Sequence, residues 1–202
     1  MQKFKTLILW LLVPMQKWFQ RRGRRETIIT KEQVDRIMAL ARPGDILLSY
    51  EAQRWTSIFI KGFYDHATIL SIKGSVVEAV GDLWEELPDG SKINRGGVRD
   101  VPLEAWLYKK DYVALIRVNK ACAPIAGQNA LKYIGRGYDY YFKHGNEDVY
   151  CSELPYLCYR TEWPEFLAEF EGDEILPQLY LDYSKHGIAP YLECLVDTKN
   201  EI

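Results

Sequence analysis

The spacing of apolar and polar positions changes period along this chain, and each change marks a new element. Val34, Ile37, Met38 and Ala41 recur at helical spacing, and Thr30 followed by Gln33 forms a capping-box pattern in front of them. A helix over 30–41 is expected, stopped by Pro43 and Gly44. Asp45 to Tyr50 (DILLSY) is an apolar run of strand length, and 54–63 reads as helix. His66 to Ile72 (HATILSI) and Val76 to Val80 (VVEAV) are two β-rich runs around a turn containing Gly74, so they are expected to form a hairpin. Gly97 to Val101 reads as a further strand, Leu103 to Tyr108 as a short helix and Tyr112 to Val118 (YVALIRV) as a buried strand. Ala126 to Ile134 is expected to be helical and closed by Gly135 and Gly137; Cys151 to Arg160 reads as a second late helix with Leu154, Leu157 and Cys158 inward. Strands cluster in the middle and helices late, the layout of an α+β fold with an antiparallel sheet packed against helices.

Composition narrows the class. With 202 residues, 48% hydrophobic and 27% charged, the chain can bury a real core and reads as one folding unit over 30–202 after an apolar and basic segment, 1–29. A net charge of -2 gives no field for holding nucleic acid, so no nucleic-acid partner is expected. Cys122, Cys151, Cys158 and Cys194 form no C-x-x-C pair and lack disulfide-framework spacing, so they read as free thiols.

The first residues carry Lys3 and Lys5, the apolar run Leu7 to Val13, Pro14, and the cluster Arg21, Arg22, Arg24 and Arg25. A spanning helix needs about 20 apolar residues, far more than this run supplies. No small-residue cleavage site follows it. Three readings stand open: a peripheral membrane contact through 4–25, with Trp10, Trp18 and Phe19 in lipid and the arginines at anionic head groups; a docked helix; or a degenerate signal. The matching compartments are the cytoplasm or a membrane periphery. Nothing in the sequence fixes an oligomeric state.

The chemistry centres on Val149 to Leu154 (VYCSEL), which puts Cys151 in the expected first turn of a helix. The partial positive charge there favours the thiolate, and the N–H groups of such a turn can hold an oxyanion. A buried cysteine alone is more often a core residue. His66 at a strand start and Glu78 on the next strand supply the other two roles of thiol catalysis: a base, and a polar group that fixes its tautomer. Glu78, set between Val77 and Ala79, must find a partner or face water. A hairpin turning tightly at Lys73 and Gly74 would oppose Glu78 to Ile69, on the face away from His66, so contact needs a bulge or a wider turn. Asp65, Asp139 and Glu153 are rival orienting groups, Glu153 reading mainly as structural.

Four blocks, PGDILLS, DHATILSI with VVEAV, GYDYYF and YCSEL, resemble in order the circularly permuted branch of the NlpC-type papain-like cysteine peptidases, the YiiX-like branch. The resemblance spans 42–160 and implies a permuted papain-like fold with the histidine preceding the cysteine. It implies Cys151 as nucleophile, His66 as base, Glu78 as the third polar residue and Tyr140 as an aromatic contact for substrate or oxyanion. Tyr138, Tyr140 and Tyr141 could equally be packing residues. The implied reaction cleaves an amide or acyl bond through a thioester on Cys151, with a cell-wall peptide or a lipid-type acyl group as substrate. A lipid acyltransferase shares that mechanism.

Other classes find less support. His66, His144, His186 and the cysteines lack metal-ligand spacing, so neither a metal site nor a cofactor is expected, and His144 reads as an exposed loop residue. No G-x-S-x-G elbow supports a serine hydrolase. The remaining alternative is a non-catalytic binding module, for which the aromatic and acidic stretch from Trp163 to Leu195 is the supporting feature.

Overall fold

Six antiparallel strands form the central sheet of the computed structural model, in the order β6-β3-β2-β1-β7-β8. The structure describes residues 28–52, 61–81, 84–86, 91–94, 96–143, 147–168 and 174–201. The expected helix 54–63, most of the segment 1–29, and His144 fall mainly or wholly outside them. The strands are β1 Ile46–Tyr50, β2 His66–Leu70, β3 Ser75–Val80, β6 Gly97–Pro102, β7 Tyr112–Val118 and β8 Leu192–Asp197; β4 Trp84–Glu86 and β5 Lys92–Asn94 pair separately. The helices are α1 Lys31–Leu40, α2 Leu103–Leu107, α3 Ala123–Ala130, α4 Glu153–Arg160 and α5 Pro177–Lys185, and a 3-10 turn, Leu131–Tyr133, follows α3.

Side chains alternate across the sheet, and both faces are covered, which is why the central strands read as near-continuous apolar runs. Ile46, Leu48, Ala67, Ile69, Val77, Ala114 and Ile116 pack with residues of α3, α4 and α5. Leu47, Leu70, Val76, Val113 and Leu115 pack on the other side with Val34 and Ile37 of α1 and Leu103, Trp106 and Leu107 of α2. The α+β layout expected from the sequence is the one observed, with the sheet between two helical layers. No helix among the described residues is long and apolar enough to cross a membrane.

Local expectations fare unevenly. The capping box forms as read, Thr30 Oγ1 accepting from the Gln33 N–H while the Gln33 side chain accepts from the Thr30 N–H. Met38, however, is 43% exposed, because the α1 stripe facing the sheet is only as wide as Val34 and Ile37. The helix expected at 126–134 begins earlier, at Ala123, where Pro124 suits a first turn whose N–H groups have no helical partner, and its end tightens into the 3-10 turn. Trp163, Phe166 and Tyr191, part of the C-terminal aromatic supply, stack against one another and on Tyr159 of α4. Phe166 and Tyr180 are fully buried in the core, and Trp163 and Tyr191 are partly buried against it.

The β2–β3 hairpin settles the register. Ile69 pairs with Val77 and Leu70 with Val76. Ser71 donates its N–H to Ser75 O, and Gly74 donates its N–H to Ser71 O, leaving a three-residue loop, 72–74. Gly74 sits at φ 75, the left-handed position such a loop demands. Continued by one residue beyond Ile69 and Val77, this register sets Glu78 opposite Thr68, diagonal to His66 and on the same face.

Candidate active site

Imidazole and carboxylate meet on that shared face. His66 Nε2 lies 3.0 Å from Glu78 Oε2, and both side chains are sealed from solvent at 2% exposure. Trp106 of α2 donates its indole N–H to the same Oε2 at 2.9 Å. Arg99, directly opposite Glu78 on β6, donates from Nε and Nη2 to Oε1 at 3.0 and 2.7 Å. Burial pushes the Glu78 carboxyl upward, but the hydrogen bond and charge of His66, with Lys110 and Arg99 nearby, outweigh it and hold the group well below the usual carboxylate range. An ionised carboxylate can only accept, so the hydrogen in the His66–Glu78 contact belongs to Nε2, and Nδ1 is the nitrogen left to take a proton.

Arg99, Trp106 and Lys110 carried no signal in the motif reading. Arg99 had the clearest trace available, an arginine on a strand beside one holding a buried acid. Lys110 packs its ammonium 4.7 Å over the Trp106 ring and pairs with Glu51. Two of the three rival acids have surroundings of their own. Asp139 accepts the N–H groups of Tyr141 and Lys143 at 2.7 and 2.6 Å, shaping the loop ahead of the cysteine. Glu153 is buried and pushed up to about 7, chiefly by burial, with Asp139 adding to the rise and the Tyr150 N–H opposing it.

Cys151 is 3% exposed and stands just ahead of α4, which begins at Glu153. The expected helix from Cys151 is therefore shortened by two residues, although Leu154 N–H bonds to Tyr150 O and closes a turn around the cysteine. The other thiols are pushed up by burial, Cys122 and Cys158 without a compensating partner of equal weight, and Cys194 to about 11. None of the four cysteines is in a disulfide.

The direction of α4 brings the cysteine end toward the histidine end of β2. The helix packs against β2. Near its last turn, Tyr159 Oη donates to Gly44 O at 2.6 Å, and Gly44 N–H bonds to Leu70 O, the far end of β2. Eight residues of helix rise about 12 Å and four strand steps span about 13 Å, so the start of α4 lies level with the His66 end of β2, in the layer that covers Ala67 and Ile69. The loop before the cysteine agrees: Tyr138 bridges to Val149, and a Cβ added at Gly81, just past Val80, would lie 3.5 Å from the rings of both Tyr138 and Tyr140. Gly97 lets this loop close on β6, since a Cβ there would meet Arg136 O at 2.4 Å. Tyr140 is 47% exposed and stacks edge-on against Tyr138 at 5.0 Å. His66 is the first residue of β2.

An antiparallel sheet between helical layers, with the imidazole-bearing strand ahead of the thiol-bearing helix, is the architecture of a papain-like cysteine hydrolase in permuted order. The chain belongs to the permuted papain-like amidase family, YaeF/YiiX, C92, whose family model matches residues 40–168. Its activity is thus of the amidase or cysteine-peptidase type. Among solved structures it is similar to one described as the metalloprotein YiiX from Escherichia coli O157:H7, at 21% identity and a TM-score of 0.50, covering 78% of this chain and 89% of that one. That likeness concerns the fold. No curated protein matches the sequence. Among the described residues, no group of three or more His, Cys, Asp or Glu side chains is arranged to hold a metal ion.

Proposed function

We propose that Cys151 is the nucleophile, His66 its base through Nδ1, and Glu78 the residue that fixes the imidazole. The observation that carries this reading is the buried 3.0 Å contact between His66 Nε2 and a carboxylate held ionised by its neighbours. Nδ1 takes the thiol proton, and the thiolate attacks the acyl carbonyl. The C–N bond then breaks with His66 returning the proton to the leaving amine, and a thioester remains on Cys151. Water, deprotonated by the same nitrogen, hydrolyses the thioester and releases the acid. The start of α4 contributes partial positive charge to both anionic species.

A peptide or other acyl-amide is the substrate class this chemistry serves, cell-wall peptide and lipid-type acyl groups being the two candidates. Tyr140, exposed beside the loop that leads to the cysteine, is the aromatic contact for the acyl chain or the oxyanion. A peripheral membrane contact through 4–25 would suit a lipid-derived substrate. A cysteine-directed acyl probe tests the nucleophile: labelling of the full chain should vanish in Cys151→Ala and fall in His66→Ala. Equal labelling of Cys151→Ala would sink the assignment.

A further inference from the structure

The residues on either side of Cys151 and those just ahead of His66 are all tied to one short stretch of chain, Ile175 to Tyr180, that lies beyond the family-matched residues 40–168. Ile175 engages both neighbours of the cysteine. Its carbonyl accepts from Ser152 Oγ at 2.6 Å, and its N–H donates to Tyr150 Oη at 3.1 Å. One turn into α5, Tyr180 Oη donates to Ser152 O at 2.8 Å. Tyr150, Ser152, Ile175 and Tyr180 are each at most 2% exposed, so these bonds form where water does not compete.

The same stretch reaches the histidine side. Gln178 Oε1 accepts the N–H groups of both Phe63 and Tyr64, at 3.1 and 3.2 Å. The contact is close: a Cβ at Gly62 would lie 2.4 Å from Gln178 Cβ, and Gly62 sits at φ 111. Tyr64, two residues before His66, is anchored a second time, donating its hydroxyl to Asp197 of β8 at 2.6 Å. Asp197 also accepts from Lys185 and Asn200, at 2.5 and 2.6 Å.

We propose that Ile175–Tyr180 is a clamp that sets the separation of Cys151 and His66, with Gln178 and Tyr180 as its positioning residues. The clamp deepens the reading above and rests on it. Proton transfer between thiol and imidazole is sensitive to misplacement of well under 1 Å. The cysteine turn and the entry to β2 come from distant parts of the sequence, and a single helical turn bonded to both fixes one against the other. Gln178 holds the histidine side, Tyr180 the cysteine side. Loosening either should separate the pair while leaving both reacting groups chemically intact.

The test is the rate of Cys151 alkylation by iodoacetamide against pH, in the full chain, with the modified residue located by mass spectrometry. A cysteine paired with imidazole stays reactive well below its ordinary pKa of about 8.5. Gln178→Ala should slow alkylation near pH 6 by about tenfold while leaving the rate near pH 10 unchanged, because the deprotonated thiol no longer needs its base. Gln178→Glu, which keeps an acceptor for both N–H groups but gives up the bond from its amide to Asp182, should restore most of the wild-type profile, and Tyr180→Phe should reproduce the loss in milder form. Variants that lower the thermal midpoint yet keep the wild-type pH profile would overturn the clamp, since a merely structural role predicts that pattern. A His66→Ala profile identical to wild type would instead overturn the reading beneath it, and the clamp with it.

Discussion

Two carboxylates flank the proposed chemistry, Glu78 on β3 and Glu153 at the start of α4, and their burial is nearly equal at 2% and 1% exposure. Burial alone drives both upward. Glu78 nevertheless ends well below the ordinary carboxylate range, since it receives an imidazole, an indole N–H and a two-pronged guanidinium. Glu153 ends at about 7, since burial raises it, the charge of Asp139 adds to the rise and the Tyr150 N–H opposes them. Depth fixes the cost of ionising a group, and the neighbours decide whether the cost is met. One acid is thereby held as a carboxylate against the imidazole, and the other is raised toward neutrality two residues after the cysteine.

The contrast predicts opposite pH limbs. A folded pKa below the unfolded value of about 4.3 means that Glu78 stabilises the fold above that pH, and the contribution is lost as the pH falls through the lower folded value. A folded pKa above the unfolded one means that the contribution of Glu153 is complete below about 4.3 and is lost as the pH rises through 7.

The largest effect should come from Glu78→Ala, which strands a buried imidazole, an indole N–H and the guanidinium at once. A loss on the order of 3–5 kcal/mol is expected at pH 7 by urea denaturation. A loss under about 1 kcal/mol would mean that the cluster does not depend on its acid. Glu153→Gln comes next, with the reverse sign. It should raise stability at pH 8 by roughly 2 kcal/mol and change it little at pH 4, where the wild-type carboxyl is already protonated. A gain that is the same at both pH values would assign the effect to packing. Arg99→Lys should be the smallest, under about 1 kcal/mol, because the side chain is 38% exposed and a lysine keeps the charge while losing the fork. That difference should shrink in 1 M salt, and one that does not would count against a screened ion pair.

The hydrophobic period made most of the sheet and the order of its elements legible, because β1, β2, β3 and β7 are largely apolar on both faces and single polar residues such as Ser49, Thr68 and Glu78 do not break their runs. The contact between His66 and Glu78 was harder, since it turned on loop geometry. Two residues twelve apart across a hairpin share a face only when an odd number of residues is left unpaired between the strands. Gly74, the third residue of the loop, was the available cue, because a left-handed glycine in third place is the mark of that wider turn. The C-terminal elements were missed for different reasons. Pro177, Lys185 and Gly187 form an ordinary helix start and stop around α5, but its inward face is built from Tyr180 and Leu181, too few positions to establish a period. Glu193 and Asp197 interrupt β8, and the buried role of Asp197 shows only when Tyr64 arrives from 133 residues away.

The indole of Trp106 gives the site a readable handle from behind. Its N–H shares one carboxylate oxygen with the imidazole, so whatever proton His66 gains or surrenders is felt at a nucleus on α2. The indole resonance of Trp106 therefore serves as a native gauge of the acid–base state, legible without touching the thiol.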